Sequence, residues 1–207
     1  MNITDVTEEF KIPESNYQKL KDIFERQEVL MHKYHDIESR NGFHIGDGFP
    51  LNLDNKHDQY RLKDFAWRIV EEVGEALEAF EKQDIVHYYE ELIDGLHFLV
   101  ELCILSGINH DNLKLVESEE YLYRGHKLEI VLAKFIRYLG TTMNHLKNKP
   151  WKNTHMITDS DSFKIELQEA WRWYNILMVK SGLKLDDIYL IYFKKSEVNK
   201  FRQRSNY

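Results

Sequence analysis

Apolar residues recur at three- and four-residue intervals through most of the chain, and strand-like alternation is not sustained anywhere. That period collects side chains on one face of a helix, so the pattern predicts an all-α fold. Over 61 to 82, Phe65, Ile69, Val73, Ala76 and Phe80 form one stripe; over 86 to 106, Val86, Tyr89, Ile93, Leu96, Val100 and Cys103 form another. The same period predicts helices at 14 to 39, 120 to 143, 161 to 181 and 185 to 203. Only three prolines and nine glycines interrupt the chain. They mark two long loops: 41 to 59, where Gly42, Gly46, Gly48 and Pro50 cluster ahead of a polar run, and 144 to 162, which holds Pro150. The connection Lys82 to Asp84 is short, which predicts an antiparallel hairpin of the helices on either side.

A faint repeat accompanies this hairpin. Residues 90 to 108 align with 165 to 183, and 69 to 78 with 130 to 139. The expected architecture is therefore a helical bundle built from a duplicated hairpin. One domain is expected over 1–207, with a first hairpin at about 61–106, a degenerate repeat at about 120–181 and a C-terminal segment at about 185–207.

The chain has 207 residues, of which 43 % are hydrophobic, enough for a substantial core. Mean hydropathy is −0.56, and no apolar run approaches the roughly 20 residues of a membrane span, so no membrane association is expected. The acidic N-terminal stretch has no apolar segment of a signal peptide, and the single cysteine, Cys103, suits a reducing compartment; both predict a cytoplasmic protein. A net charge of −7 argues against a broad nucleic-acid-binding face, and no nucleic-acid partner is expected. Phosphate-binding glycine motifs of the Walker A and dinucleotide types are absent from the sequence.

Candidate chemistry sits on the polar side of the hairpin. Glu72 and Glu75 stand three residues apart on its first helix, and Glu91 and Asp94 do the same on its second. Antiparallel packing lets the two pairs converge, and converging carboxylates repel unless cations neutralise them. Hard divalent ions such as Mg²⁺ take oxygen ligands and are usually shared between carboxylates and substrate phosphates. Glu71 and Glu90, next in sequence, could replace the chosen residues. Gly74 and Gly95 lie beside the pairs, where a mid-helix glycine costs ~1 kcal/mol relative to alanine, and this suggests that something approaches closely.

The stretches WRIVEEVGEALEAF and EELIDGLHFLVEL resemble the dimeric dUTPases of the all-α NTP pyrophosphatase group, whose MazG-like relatives share the acidic motifs. Glu-x-x-Glu on one helix, then Glu-x-x-Asp followed by His-Phe, correspond here to Glu72, Glu75, Glu91, Asp94, His97 and Phe98. The C-terminal run from Tyr192 to Tyr207 resembles the ending Tyr-x-x-Lys-Asn-x-x-Asn-x-x-Arg-Gln-x-x-Gly-Tyr, and Gln27 resembles the family's base-reading glutamine. The chain departs from the pattern at Met31, Leu96, Ser196 and Asn206, and it lacks the Trp-Lys-x-Trp-Lys element between the acidic motifs; Lys149-Pro150-Trp151-Lys152 comes later.

The resemblance implies Mg²⁺-dependent hydrolysis of dUTP to dUMP and pyrophosphate by a phage-type homodimer, with two or more Mg²⁺ ions per site and Mn²⁺ as a possible substitute. It implies metal ligation by Glu72, Glu75, Glu91 and Asp94, with Glu75 or Glu72 as general base and Glu75 preferred. Lys195 and Arg202 are the expected phosphate ligands; Gln27, His97, Phe98, Asn199 and Tyr207 are expected to hold base or sugar. A preference for dCTP or a broader range of dNTPs, or a non-catalytic interaction module, remain as alternatives. Phe135, Ile136, Trp171, Trp173 and Tyr174 are expected to carry the apolar surface of a dimer.

Overall fold

The computed structural model describes residues 2–42, 48–116 and 125–204. Among the described residues six α-helices make up the bundle: α1 (Asn16–Arg40), α2 (Lys56–Glu81), α3 (Ile85–Leu105), α4 (Leu128–His145), α5 (Ser160–Lys180) and α6 (Leu185–Arg204). No strand occurs among the described residues. Short polar side chains start several helices by accepting from first-turn amides: Ser15 from Gln18 N at 3.1 Å, Asp84 from His87 N at 3.1 Å and Asp159 from Ser162 N at 3.1 Å.

Two helix pairs pack along their lengths, α2 with α3 and α4 with α5, while α1 and α6 lie against each other and against α3. The turn at 82–84 places Gln83 at φ 61° and closes the first hairpin as expected. Helix α3 runs through the centre of the bundle and is buried on most of its circumference from Tyr88 to Leu105. The largest fully buried side chains among the described residues are Trp171, Tyr174, Tyr192, Phe135 and Phe163, so α4, α5 and α6 supply the aromatic bulk of the core. Cys103 is buried and serves packing.

Several expectations are corrected. Helix α2 begins at Lys56, inside the loop expected at 41–59, because Asn55 caps it by accepting from His57 N at 2.8 Å and Asp58 N at 3.2 Å. Helix α4 begins at Leu128; of the helix expected from 120, residues 120–124 lie outside the described residues and 125–127 are not helical. Phe80 and Val86 are exposed instead of joining the buried stripes, and Ala79 and Tyr88 are buried in their neighbourhood.

The apolar residues expected to face a partner are mostly internal. Phe135, Trp171, Trp173 and Tyr174 are buried in this chain's own core, and only Ile136 is exposed. Gly95 is also explained by packing. An added Cβ there would collide with the Tyr174 hydroxyl, which donates to Leu92 O at 2.7 Å, so the close approach comes from α5. Nothing lies near Gly74.

Candidate active site

The hairpin brings three of the four predicted carboxylates together. Glu72 on α2 and Glu91 and Asp94 on α3 each offer an oxygen within 4.8 Å of the others. Glu75, one turn beyond Glu72, is exposed and outside this cluster, yet its charge still acts on Glu72. Glu90 lies 3.7 Å from Lys195, on the edge of the group.

The electrostatics are those of crowded, partly buried anions. Burial pushes the Glu72 carboxyl up to about 8, helped by a hydrogen bond with Glu91 and by the charges of Asp94, Glu91 and Glu75. Burial likewise raises Asp94 to about 6, although Lys195 opposes the shift. Lys195 Nζ sits 2.5 Å from Asp94 Oδ2 and is itself buried. Burial would lower its pKa, but Asp94, Glu90 and Glu91 outweigh that and hold the ammonium charged. His87 Nδ1 approaches Glu91 Oε1 at 3.0 Å from the preceding turn. A cluster of hard oxygen donors with too few cations fits a divalent metal ion.

Beside the cluster opens a cavity of about 790 Å³. Glu72 and Asp94 stand on its wall with Arg68 from α2, and α6 contributes Asn199 and Arg202. Its floor is polar and tightly bonded. Gln27 is buried; its Nε2 donates to Glu101 Oε2 at 3.0 Å, and its Oε1 accepts from the Tyr192 hydroxyl at 2.7 Å and meets His97 Nδ1 at 3.0 Å. His97 stacks on Tyr192 with ring centroids 3.7 Å apart, and its Nε2 is buried without a hydrogen-bond partner. Burial, with Lys195 adding to it, lowers His97 to about 3, so the imidazole is neutral. Phe98 lines the same cavity, its ring 6.2 Å from that of Phe65.

Residues Glu72, Asp94, Gln27, His97, Phe98, Asn199 and Arg202 thus share one cavity, with Lys195 against its acidic edge. Tyr207 lies outside the described residues. Glu101 emerges as an additional cavity-floor group, and Tyr192 as a buried support for Gln27 and His97 behind it. The signal for Glu101 is its place seven residues after Asp94 and four after His97, which is the same helix face.

Fold and site together define an all-α enzyme class with a carboxylate cluster opening on a cavity of nucleotide size. The profile of the family described as dUTPase matches residues 78–207, well over half of the chain. The chain belongs to this dUTPase family and is a nucleoside triphosphate diphosphatase. The matched span holds Glu91, Asp94, His97 and all of α6; Glu72 and Gln27 lie before it and join the site through the fold. No curated protein and no solved structure matches the chain.

Proposed function

We propose that the protein hydrolyses dUTP to dUMP and pyrophosphate with Mg²⁺, in a role of nucleotide pool sanitation and dTTP precursor supply. The observation that carries this reading is the convergence of Glu72, Glu91 and Asp94 beside a cavity that Glu72 and Asp94 line together with Asn199 and Arg202.

Glu72, Glu91 and Asp94 would hold the metal ion, which when bound supplies charge neutralisation for the triphosphate and its transition state. Glu75, exposed one turn beyond Glu72, would take the proton of the attacking water. Arg202 meets phosphate oxygens through its planar fork. Lys195 neutralises Asp94 before substrate arrives and shares its charge with the phosphates afterwards. Phe98 and His97 flank the base.

Pyrophosphate release measured for each dNTP with and without Mg²⁺ tests the reading. The expected result is Mg²⁺-dependent release with dUTP; release at background for every dNTP would reject catalysis.

A further inference from the structure

We propose that Glu101 is the base-selecting residue of this cavity: its carboxyl, held on one side by Gln27, reads the 4-position of a pyrimidine and admits cytosine alongside uracil. The inference rests on the reading of the cavity as a deoxynucleoside triphosphate site.

Helix α3 lays out the groups in a line. Asp94, His97 and Glu101 follow one another on a single face, and the seven residues from Asp94 to Glu101 advance about 10 Å at 1.5 Å per residue. A nucleotide with its phosphates at the carboxylate cluster therefore directs the far edge of its base toward Glu101. Glu101 lines the cavity although the residue is 95 % buried, and a buried carboxyl at a ligand floor needs a hydrogen-bonding partner.

The bonds around Gln27 set the polarity of that floor. A carboxylate only accepts, so the Gln27 amide must turn its Nε2 toward Glu101 Oε2 and its Oε1 toward the Tyr192 hydroxyl and His97 Nδ1. Both lone pairs of Oε1 are then in use. The Gln27 amide is thus largely occupied inside the protein and positions its neighbours. The groups left for a base are the other Glu101 oxygen and the unpartnered His97 Nε2.

The edges of the two pyrimidines differ at one place. Cytosine presents a 4-amino donor where uracil presents a 4-keto acceptor. An ionised Glu101 accepts from the 4-amino group, and a protonated Glu101 donates to the 4-keto oxygen. Burial raises this carboxyl to about 7, partly offset by the Gln27 hydrogen bond and by Arg61. The charged and titratable groups facing it are Tyr34 and Glu38 from α1, Arg61 from α2, His97 from α3 and Tyr192 from α6. Both protonation states are populated near neutral pH, so both bases are accepted.

The test is the ratio of kcat/KM for dCTP to that for dUTP, in which effects on metal and phosphate binding cancel. The wild-type ratio is expected to rise as pH goes from about 6 to about 8, following ionisation of a group near 7. In Glu101→Gln the introduced amide must turn its oxygen to Gln27 and its N–H₂ to the base, which is a donor at every pH. The ratio at pH 8 should fall roughly 10- to 100-fold, the range of a hydrogen bond to a charged group, and lose its pH dependence. Absence of dCTP turnover by the wild type at pH 8, or a ratio that ignores both pH and the substitution, would overturn the assignment while leaving dUTP hydrolysis standing. Failure of every dNTP to turn over would instead overturn the catalytic reading itself. The wild-type pH series needs no variant, so a misfolded Glu101→Gln protein does not remove the test.

Discussion

Glu72 holds the least compensated charge in the cluster, since Asp94 has Lys195 at 2.5 Å and Glu91 has His87 at 3.0 Å. Its hydrogen bond with Glu91 requires a shared proton. Glu72→Gln keeps a donor toward Glu91 and removes one negative charge, so we expect turnover to fall at least about 100-fold while the metal-free protein melts at a higher temperature. Asp94→Asn should also abolish turnover, but it removes the main partner of a buried ammonium and should lower the melting temperature. Scanning fluorimetry with EDTA checks both directions. The pH dependence has a definite sign. The folded Glu72 titrates at about 8, above its ordinary 4.5, so the folded state holds a proton that the unfolded chain has lost. This contribution to stability is complete below about 4.5 and disappears as pH rises through about 8. Melting temperature in EDTA should therefore decline across that window, and added Mg²⁺ should raise it more at pH 8.5 than at about pH 5.5. Equal stabilisation at both pH values would argue against metal at Glu72.

Among the helices, the contrast between Gly74 and Gly95 separates packing from function. Gly95→Ala drives a Cβ into the Tyr174 hydroxyl and disturbs its bond to Leu92 O, so α3 and α5 must shift; the expected cost is about 1–3 kcal/mol. Gly74→Ala meets nothing and should stabilise α2 by up to about 1 kcal/mol. Urea unfolding of the two variants gives opposite signs if the α3–α5 contact is as described. Helix positions were legible wherever an apolar stripe marks a buried face, as with Phe65, Ile69 and Val73 on α2 and Ile93, Leu96 and Val100 on α3. The first turn of α2 was not, because its residues Lys56 to Tyr60 are polar or exposed and only the Asn55 cap announces a start. Helix α6 shows the opposite failure. Its Lys- and Arg-rich sequence offers little apolar surface, yet Tyr192, Lys195, Ser196 and Val198 are all buried. Periodicity cannot foresee this burial, since Lys195 and Ser196 are polar and find their partners, Asp94 and Arg26, on other helices. The acidic pairs are legible from spacing and the hairpin, and Gln27 and His97 through the family resemblance; Glu101 is not, because its bond to Gln27 joins α1 to α3 across 74 residues. Truncation at Ser196 would remove buried Val198 as well as Arg202, so lost stability should accompany lost activity.

At the scale of the whole molecule, the exposed apolar side chains give the homodimer that the family resemblance implies a candidate interface to test. The aromatic residues of α4 and α5 are spent on the internal core, but α2, the first turn of α3 and α4 leave others in water. Leu77, Phe80, Ile85, Val86 and Ile136 are each more than a third exposed, and Leu77 and Phe80 border an apolar groove of about 310 Å³ completed by Val73, Leu128 and Leu132. Exposed apolar side chains of this kind are what subunit interfaces bury. The groove lies at the closed end of the first hairpin, where Phe80 packs on Tyr88 with ring centroids 5.3 Å apart, whereas Asp94, His97 and Glu101 follow farther along α3. Pairing through this end would brace the hairpin that carries the carboxylates and leave the cavity open. Sedimentation at micromolar concentration should then give about 50 kDa, twice the 25.0 kDa of one chain. Replacing Phe80 and Val86 together by aspartate places charge in the interface core, and the variant should sediment at 25.0 kDa with its helical circular dichroism retained. A wild-type protein that sediments as a single chain would show that this apolar end faces water, and a variant that remains dimeric would move the interface elsewhere on the bundle.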